Sequence, residues 1–174
     1  MQTAGSAVLD KARLERLYVD LERPMYNVVY RWLWDSAEAH DVVQETFVKL
    51  WQMRSQVAVE TVRPLAYRIA VNLASNRRRW FRLRRWVSLE QQPDEPAGAN
   101  GTPEDHLQQA AVRRAIDHLP ERYRRVILLC DFSGMTYAQV GEALRIPAGT
   151  VGSRRSHALG LLRQALGDFD DHDE

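Results

Sequence analysis

Apolar residues recur every three or four positions along most of this chain of 174 residues, the spacing that places them on one face of an α-helix. No stretch shows the sustained alternation of apolar and polar residues that is typical of a half-buried strand. Residues 88–107 depart from the helical spacing, because they are rich in Pro, Gly, Asp and Glu and poor in large apolar side chains. The pattern therefore predicts an all-α fold with two small helical domains joined by a flexible acidic linker.

Changes in composition divide the chain into four segments. We expect a first helical domain at residues 1–87, the linker at 88–107, a second helical domain at 108–167 and an acidic tail at 168–174. The tail carries five acidic residues and no Lys or Arg, which is typical of a solvated end.

Three helices are expected in the first domain. The first spans about residues 12–33, and Asp35 is then the expected N-cap of the second, with Glu38 forming an acidic capping box. The dipeptide Arg63-Pro64 opens the third helix, because Pro fits the first helical turn. The second and third helices are each expected to bury one stripe, formed by Val43, Phe47 and Leu50 and by Leu65, Ile69 and Leu73.

The second domain is predicted to contain a helix-turn-helix. Pro120 starts one helix, and Thr136 and Gln139 then form a capping box that sets the start of the next. The break at 145–147 and the helix after it give the spacing at which the last helix can enter a major groove of DNA. Gly141 is expected to let these two helices approach closely.

The last helix has two sides of different character. At about 100° per residue, one side is formed by Val151, Arg155, Ala158 and Leu162. The other side is formed by Thr150, Ser153, Arg154 and His157. Since Arg can bond guanine through two hydrogen bonds, we interpret this second side as a surface that reads DNA, and the alternative is a solvated helix face.

The net charge of +1 conceals two strongly basic segments. Residues 63–86 carry eight Arg and no acidic residue, and residues 112–165 carry nine basic residues against four acidic ones. Segments of this kind are typical of proteins that bind a polyanion such as nucleic acid.

The polar face of the third helix lies in the first basic segment and is formed by Arg68, Asn72, Asn76 and Arg79. Uncompensated arginines would repel one another on a solvated surface, so we favour contact with nucleic acid. Three aromatic residues are interleaved with the arginines, namely Trp80, Phe81 and Trp86. They are suited equally to stacking on bases and to a place in the core.

Other function classes find little support. The five His residues are scattered, no cluster has metal-ligand spacing and no Gly-rich phosphate loop is present, so we expect no enzyme, no cofactor and no metal site. The single Cys130 lies in an apolar run and is expected in the core rather than as a reactive thiol. Without an apolar run of membrane-spanning length or a signal peptide, we expect a cytoplasmic protein that does not insert into a membrane.

Three ordered segments carry a resemblance to a known family. They are DVVQETFVKLW, RPLAYRIAVNLASNRRR and LPERYRRVILLCDFSGMTYAQVGEALRIPAGTVGSR. In order and spacing they resemble regions 2 and 4 of the extracytoplasmic-function sigma factors, over roughly residues 14–86 and 108–166. The resemblance implies a promoter-specificity subunit of bacterial RNA polymerase, acting at stress- or signal-responsive genes and controlled by an anti-sigma factor.

The resemblance also implies roles for particular residues. Those expected to dock on the clamp helices of core RNA polymerase are Asp41, Gln44, Glu45 and Val48. The neighbourhood of Asn72 and of Arg77, Arg78 and Arg79 is expected to engage the promoter element nearest the start site. The helix that carries Arg154 is expected to read the distal element of promoter DNA.

Some positions depart from the family pattern. Arg145 stands where Gly is usual in the turn, and Gly152 and His157 replace basic residues of the recognition helix. Arg155 occupies a position that is usually apolar, so its side chain either extends out of the core stripe or adds a phosphate contact.

The competing interpretation is a dimeric helix-turn-helix repressor or activator. Such a protein would share the second domain, but it would need a dimer interface and no polymerase-docking helix. The first domain argues against it.

Overall fold

The computed structural model describes the backbone of residues 9–87 and 103–170 and the side chains of residues 9–83 and 105–167. The chain divides into two compact units, Met1–Glu90 and Gln91–Glu174. Within the described ranges the elements are seven α-helices and two short 3-10 helices, which confirms the all-α fold. Most of the expected linker, the Trp86 side chain and the side chains of the acidic tail lie outside the described residues.

The first unit is built from three long helices, α1 (Lys11–Leu33), α2 (Ser36–Gln52) and α3 (Val62–Val87). Two 3-10 turns, Arg54–Gln56 and Val59–Thr61, lie between α2 and α3. Each of the three helices packs against the other two, so the core of this unit lies between them.

Asp side chains cap the first two helices. The Asp10 carboxylate accepts a hydrogen bond from the Arg13 amide at 2.8 Å, and the Asp35 carboxylate accepts one from the Glu38 amide at 2.9 Å. Asp35 is therefore confirmed as an N-cap. The Glu38 carboxylate instead accepts a hydrogen bond from Arg77 of α3. Of the two hydrogen bonds expected in the acidic capping box, only the one accepted by the Asp35 carboxylate is therefore found.

The buried stripe expected for α2 is confirmed, since Val43, Phe47 and Leu50 are all buried. The stripe expected for α3 is wrong. Leu65, Ile69 and Leu73 are only half-buried, and the inner face is formed instead by Ala66, Tyr67, Ala70, Val71 and Ala74. Helix α3 packs against two helices at once, so these two neighbours decide which of its faces is buried, and the larger aliphatic residues lie outside that face.

The second unit contains α4 (Pro103–His118), α5 (Glu121–Phe132), α6 (Tyr137–Leu144) and α7 (Ala148–Asp170). Helix α4 begins inside the segment assigned to the linker, so residues 103–107 are helical. Pro at the first helical position and two acidic residues directly after it favour this start. Helix α7 also continues into the segment assigned to the tail.

The predicted capping box is confirmed at the start of α6. The Gln139 amide donates to the Thr136 hydroxyl at 3.3 Å, and the Thr136 amide donates to the Gln139 side chain at 3.0 Å. Helix α6 ends at Leu144, and Arg145 directly after it adopts the left-handed conformation with φ 57°. This is the turn position at which the family pattern has Gly, so Arg145 carries the backbone strain that Gly avoids.

The close approach expected at Gly141 is found between this residue of α6 and the turn that leads to α7. A Cβ atom at Gly141 would lie 2.6 Å from the backbone carbonyl oxygen of Ile146. The Ile146 amide in turn donates to the Gly141 carbonyl at 2.9 Å. Only a residue without a side chain fits at this point of α6.

Arg124 is buried in the second unit, with 6% of its surface exposed. Its guanidinium donates to the carbonyl oxygens of Ile116 at 3.0 Å, Leu119 at 2.8 Å and Asp117 at 2.5 Å. These carbonyls lie in the last turn of α4 and at Leu119 just after it, where helix carbonyls run short of backbone partners; the Ile116 carbonyl also accepts from the Leu119 amide at 3.2 Å. A side chain of α5 therefore caps α4 and fixes the two helices together.

Cys130 is half-buried on α5. Burial raises the pKa of its thiol to about 11, with the neighbouring Asp131 acting in the same direction. The thiol therefore stays protonated at neutral pH, as a packing residue does.

Candidate nucleic-acid and partner interfaces

The side of α2 that faces away from the core is the first candidate surface. We call Asp41, Gln44, Glu45 and Val48 the α2 outer face. Asp41 and Gln44 are exposed, Glu45 is half-buried, and Val48 is 53% exposed. The face continues to Trp51, whose ring is 37% exposed and lies 4.2 Å from the Arg54 guanidinium carbon. An exposed aliphatic and aromatic pair beside polar side chains is typical of a protein-binding surface.

Glu45 is held in place by two cations. Its carboxylate accepts a hydrogen bond from the Arg77 guanidinium at 3.0 Å and lies 3.6 Å from the Lys49 ammonium. One partner comes from α3 and the other from the next turn of α2. The Glu45 side chain is therefore oriented within the first unit before any partner binds.

Arg77 reaches from α3 to several acidic groups of α2. Beside its bond to Glu45, its guanidinium donates to the Glu38 carboxylate at 2.5 Å and lies 4.0 Å from the Asp41 carboxylate. Partial burial alone would lower the pKa of Arg77, but the hydrogen bonds that it donates to Glu38 and Glu45 raise its pKa above the ordinary value. Although Arg77 belongs to the basic segment expected to contact DNA, its charge is directed at α2.

Arg78 also bonds within the first unit. Its guanidinium donates to the backbone carbonyl of Trp32 at 3.0 Å, close to the end of α1. Arg79, the next residue, is exposed. The three consecutive arginines thus differ in their surroundings, and Arg79 is the one directed to solvent.

The polar side of α3 is the second candidate surface. We call Arg68, Asn72, Asn76 and Arg79 the α3 outer face; the last three are exposed and Arg68 is half-buried. Helical spacing places the half-buried Leu65 and Ile69 beside the two asparagines. The α3 outer face therefore has an aliphatic edge, formed by two residues that were expected in the core.

An exposed indole ring, that of Trp80, extends the α3 outer face toward its C-terminal end. Trp80 is 52% exposed and meets Phe81 in an edge-to-face contact with 5.9 Å between ring centroids. Leu83 is 64% exposed. A surface that combines arginine, asparagine amides and an open indole ring can bind single-stranded nucleic acid by charge, hydrogen bonds and stacking.

The third candidate surface lies on α7. We call Thr150, Ser153, Arg154 and His157 the α7 outer face. Ser153 and His157 are exposed, and Thr150 and Arg154 are half-buried. The Ser153 hydroxyl donates to the Thr150 carbonyl at 3.1 Å, and no hydrogen bond or ion pair reaches the Arg154 guanidinium from the residues that the structure describes. Arg154 therefore keeps all its donors available for a ligand.

Arg155 has a partner on α5. Its guanidinium donates two hydrogen bonds to the Asp131 carboxylate, at 3.0 and 2.7 Å, and these bonds raise its pKa above the ordinary value. Of the two alternatives left open by the sequence, this geometry favours a side chain that extends out of the core stripe and ties α7 to α5.

His157 stacks on a tyrosine of α5. The His157 and Tyr123 rings lie 4.7 Å apart at an angle of 28°, and the Arg122 guanidinium carbon lies 4.7 Å from the centroid of the same Tyr123 ring. The α7 outer face is therefore continued onto α5 by a cationic side chain, which sequence reasoning did not include.

Sequence reasoning also missed Glu38, Asp131 and Arg124 as partners in these contacts. Each is a charged residue bonded outside its own helix, and helical periodicity describes only one helix at a time. The one available signal was Arg124, a charged residue next to the apolar stripe of α5.

Among the described residues, no group of three or more His, Cys, Asp or Glu is arranged to hold a metal ion. In the same parts of the chain, no helix is long and apolar enough to cross a membrane.

Comparison with known families gives two matches in chain order. Residues 17–85 match the family described as Sigma-70 region 2, and residues 109–162 match the family described as Sigma-70, region 4. The first match covers α2, nearly all of α3 and most of α1, and the second covers α5, α6 and most of α4 and α7.

Curated relatives align with almost the entire chain. The chain is 30% identical over 171 residues to the ECF RNA polymerase sigma factor SigL of Mycobacterium tuberculosis, covering 95% of each chain. It is 29% identical over 167 residues to the ECF RNA polymerase sigma factor SigW of Bacillus subtilis, covering 83% of this chain and 84% of the relative.

Solved structures share the fold. The sigma factor RpoE of Bartonella quintana, solved with the anti-sigma factor NepR, matches with a TM-score of 0.67 and 22% identity, over 95% of this chain and 100% of that chain. CnrH, solved with the cytosolic domain of CnrY, matches with a TM-score of 0.66 and 19% identity, over 95% and 92% of the two chains.

Proposed function

Because this chain belongs to the extracytoplasmic-function sigma factors of the sigma-70 family, we propose that it binds core RNA polymerase and directs transcription initiation at particular promoters. The observation that carries this proposal is the presence of both sigma regions in one chain, in order and one in each compact unit. A dimeric repressor would need only the second of them.

The α2 outer face is the proposed docking surface for core polymerase. Its support is the exposure of Asp41, Gln44 and Val48 and the fixed orientation of Glu45. Polar side chains around an exposed aliphatic residue provide both specificity and buried apolar area when a partner helix docks.

The α3 outer face is the proposed surface for the promoter element nearest the start site. The exposed amides of Asn72 and Asn76 can hydrogen-bond the edges of unpaired bases, and Arg79 can neutralise a phosphate. Trp80 supplies an open ring on which a base can stack. Arg77 and Arg78 bond within the unit and are left out of this surface.

The α7 outer face is the proposed reader of the distal promoter element. Arg154 lies in the helix that the capped turn presents to a major groove, with its donors available for guanine. Arg155, which is paired with Asp131, positions the helix rather than contacting a base.

We further propose that an anti-sigma factor controls the protein and that it acts in the cytoplasm, at genes that respond to stress or another signal. The support for the regulator is that RpoE, a relative with the same fold, was solved with the anti-sigma factor NepR. Since a sigma factor is a specificity subunit, we propose no reaction for this chain.

Gel filtration with and without core polymerase tests the proposal. We expect the chain to co-elute with the core enzyme, and the resulting holoenzyme to start transcription at discrete sites on genomic DNA of the source organism. A chain that runs as a dimer and does not bind core polymerase would instead support the repressor.

Two substitutions test the DNA surfaces. Arg154→Ala should weaken holoenzyme binding by about 1–3 kcal/mol on a promoter with the preferred distal element and little on one with an altered element, because a base contact is lost. Arg79→Ala should weaken binding on both promoters and lower the salt slope by about one unit, because a phosphate contact is lost. If Arg154→Ala acts equally on both promoters, Arg154 does not read sequence.

A further inference from the structure

Three acidic residues lie close together on α2 beside the proposed docking surface. Glu38, Asp41 and Glu45 are separated by three and four residues, so helical geometry places their carboxylates on neighbouring turns of one side. Like charges at this spacing repel each other. Unless a cation offsets them, Asp41 and Glu45 would be pushed apart on the surface that meets the polymerase.

Arg77 supplies that cation from α3. One terminal guanidinium nitrogen of Arg77 donates to the Glu38 carboxylate at 2.5 Å, and the other donates to the Glu45 carboxylate at 3.0 Å. The Asp41 carboxylate lies 4.0 Å from the guanidinium. The Arg77 side chain is only 26% exposed. A planar guanidinium can bridge two carboxylates in this way, whereas the single ammonium of Lys cannot hold the same geometry.

The same contacts argue against a direct role in DNA binding. A phosphate contact by Arg77 would require its guanidinium to give up two carboxylates and turn toward the α3 outer face. Arg79, two residues further on, is exposed and needs no such rearrangement.

We propose that Arg77 is a positioning residue of the docking surface: it holds Glu45 and Asp41 of α2 in the arrangement that core polymerase binds, and it does not contact DNA. The inference rests on the proposed function, since it assigns a role within the docking of core polymerase. It predicts that an arginine from the DNA-binding segment of α3 affects polymerase affinity.

The experiment compares Arg77→Met with Arg78→Met and Arg79→Met in the full chain. Arg78 is the matched control, because its loss also removes a bond between two helices of the first unit, in this case to the Trp32 carbonyl of α1. Affinity for core polymerase is measured without DNA, and the salt slope of promoter binding is measured on holoenzyme assembled at saturating core. Circular dichroism verifies that each variant is folded at the assay temperature.

We expect Arg77→Met to weaken core binding by about three- to tenfold, because two side chains at the interface lose their orientation. Arg77→Lys should recover part of this loss. Arg78→Met and Arg79→Met should bind core as the wild type does. The salt slope should fall by about one unit for Arg79→Met and stay unchanged for Arg77→Met.

A double-mutant cycle with Glu45→Gln separates positioning from general stability. If Arg77 acts through Glu45, the double variant should bind core no more weakly than the worse single variant. Should Arg77→Met fail to fold, Glu38→Gln removes one of the same bonds from outside the docking surface, and it should weaken core binding in the same direction.

Two results would overturn the inference while leaving the proposed function intact. One is wild-type core affinity together with a lowered salt slope in Arg77→Met, which would make Arg77 a DNA contact. The other is an equal loss of core binding in Arg77→Met and Arg78→Met, which would make its role structural. If the wild-type chain itself does not bind core polymerase, the proposed function fails, and the inference fails with it.

Discussion

Replacing Arg124 by Met should destabilise the second unit strongly. Met keeps most of the apolar length of the side chain but removes the donors that now bond three carbonyl oxygens at the end of α4. The bonds to Ile116 and Leu119 are buried, so water cannot fully replace them. An unsatisfied buried group costs about 1–3 kcal/mol, so we expect the free energy of unfolding to fall by about 2–4 kcal/mol.

Urea denaturation can assign this loss to one unit. All five Trp residues of the chain lie between positions 32 and 86, so Trp fluorescence reports the first unit alone, whereas circular dichroism reports helices in both. With a slope of about 1 kcal/mol per molar urea for a unit of this size, the midpoint of the second unit should fall by about 2–4 M. The fluorescence midpoint should stay where it is.

Arg125→Met is the matched control. Arg125 is the next residue on α5, and its bond to Glu121 lies at the surface, four residues apart on the same helix. Such a pair contributes about 0.5 kcal/mol or less. Equal and small losses in both variants would refute the view that Arg124 fixes α4 to α5.

Two further substitutions test the helix-turn-helix turn by the same denaturation assay. Gly141→Ala should lower the free energy of unfolding by about 1–3 kcal/mol, because its Cβ would lie 2.6 Å from the Ile146 carbonyl oxygen. Gly149→Ala, which meets nothing within 4 Å, is its control and should not destabilise; equal stability of the two variants would contradict the predicted clash. Arg145→Gly should raise the free energy of unfolding by about 0.5–1 kcal/mol, because Gly adopts the left-handed conformation without strain. Arg145→Ala keeps the Cβ atom, so a gain as large as that of Gly would contradict the explanation.

The helices and their caps followed from local sequence. The Asp35 cap and the Thr136–Gln139 capping box depend on residues within one turn of each other, and the Val43, Phe47 and Leu50 stripe depends on spacing within one helix. The helix-turn-helix could be predicted for the same reason. Gly141 was identified as the point of close approach because two helices joined by a short turn leave no room for a side chain between them.

The inner face of α3 could not be predicted in this way. Periodicity predicted that Leu65, Ile69 and Leu73 are the buried residues of α3. The helix packs against two others and instead buries the face that contains its alanines, Tyr67 and Val71. The buried face of a helix depends on how many helices pack against it and on how closely they approach. Neither quantity can be predicted from the spacing of apolar residues within one helix.

The partners of the arginines likewise required the tertiary structure. Sequence alone identified eight arginines without an acid between residues 63 and 86, and from them we predicted contact with nucleic acid. Only the packing of α3 against α2 decided that Arg77 finds its acids at Glu38 and Glu45, while Arg79 stays at the surface. Composition and helical spacing determine which residue types share a face, but an ion pair needs two groups within about 4 Å, and only the fold brings residues so distant in the chain to that separation.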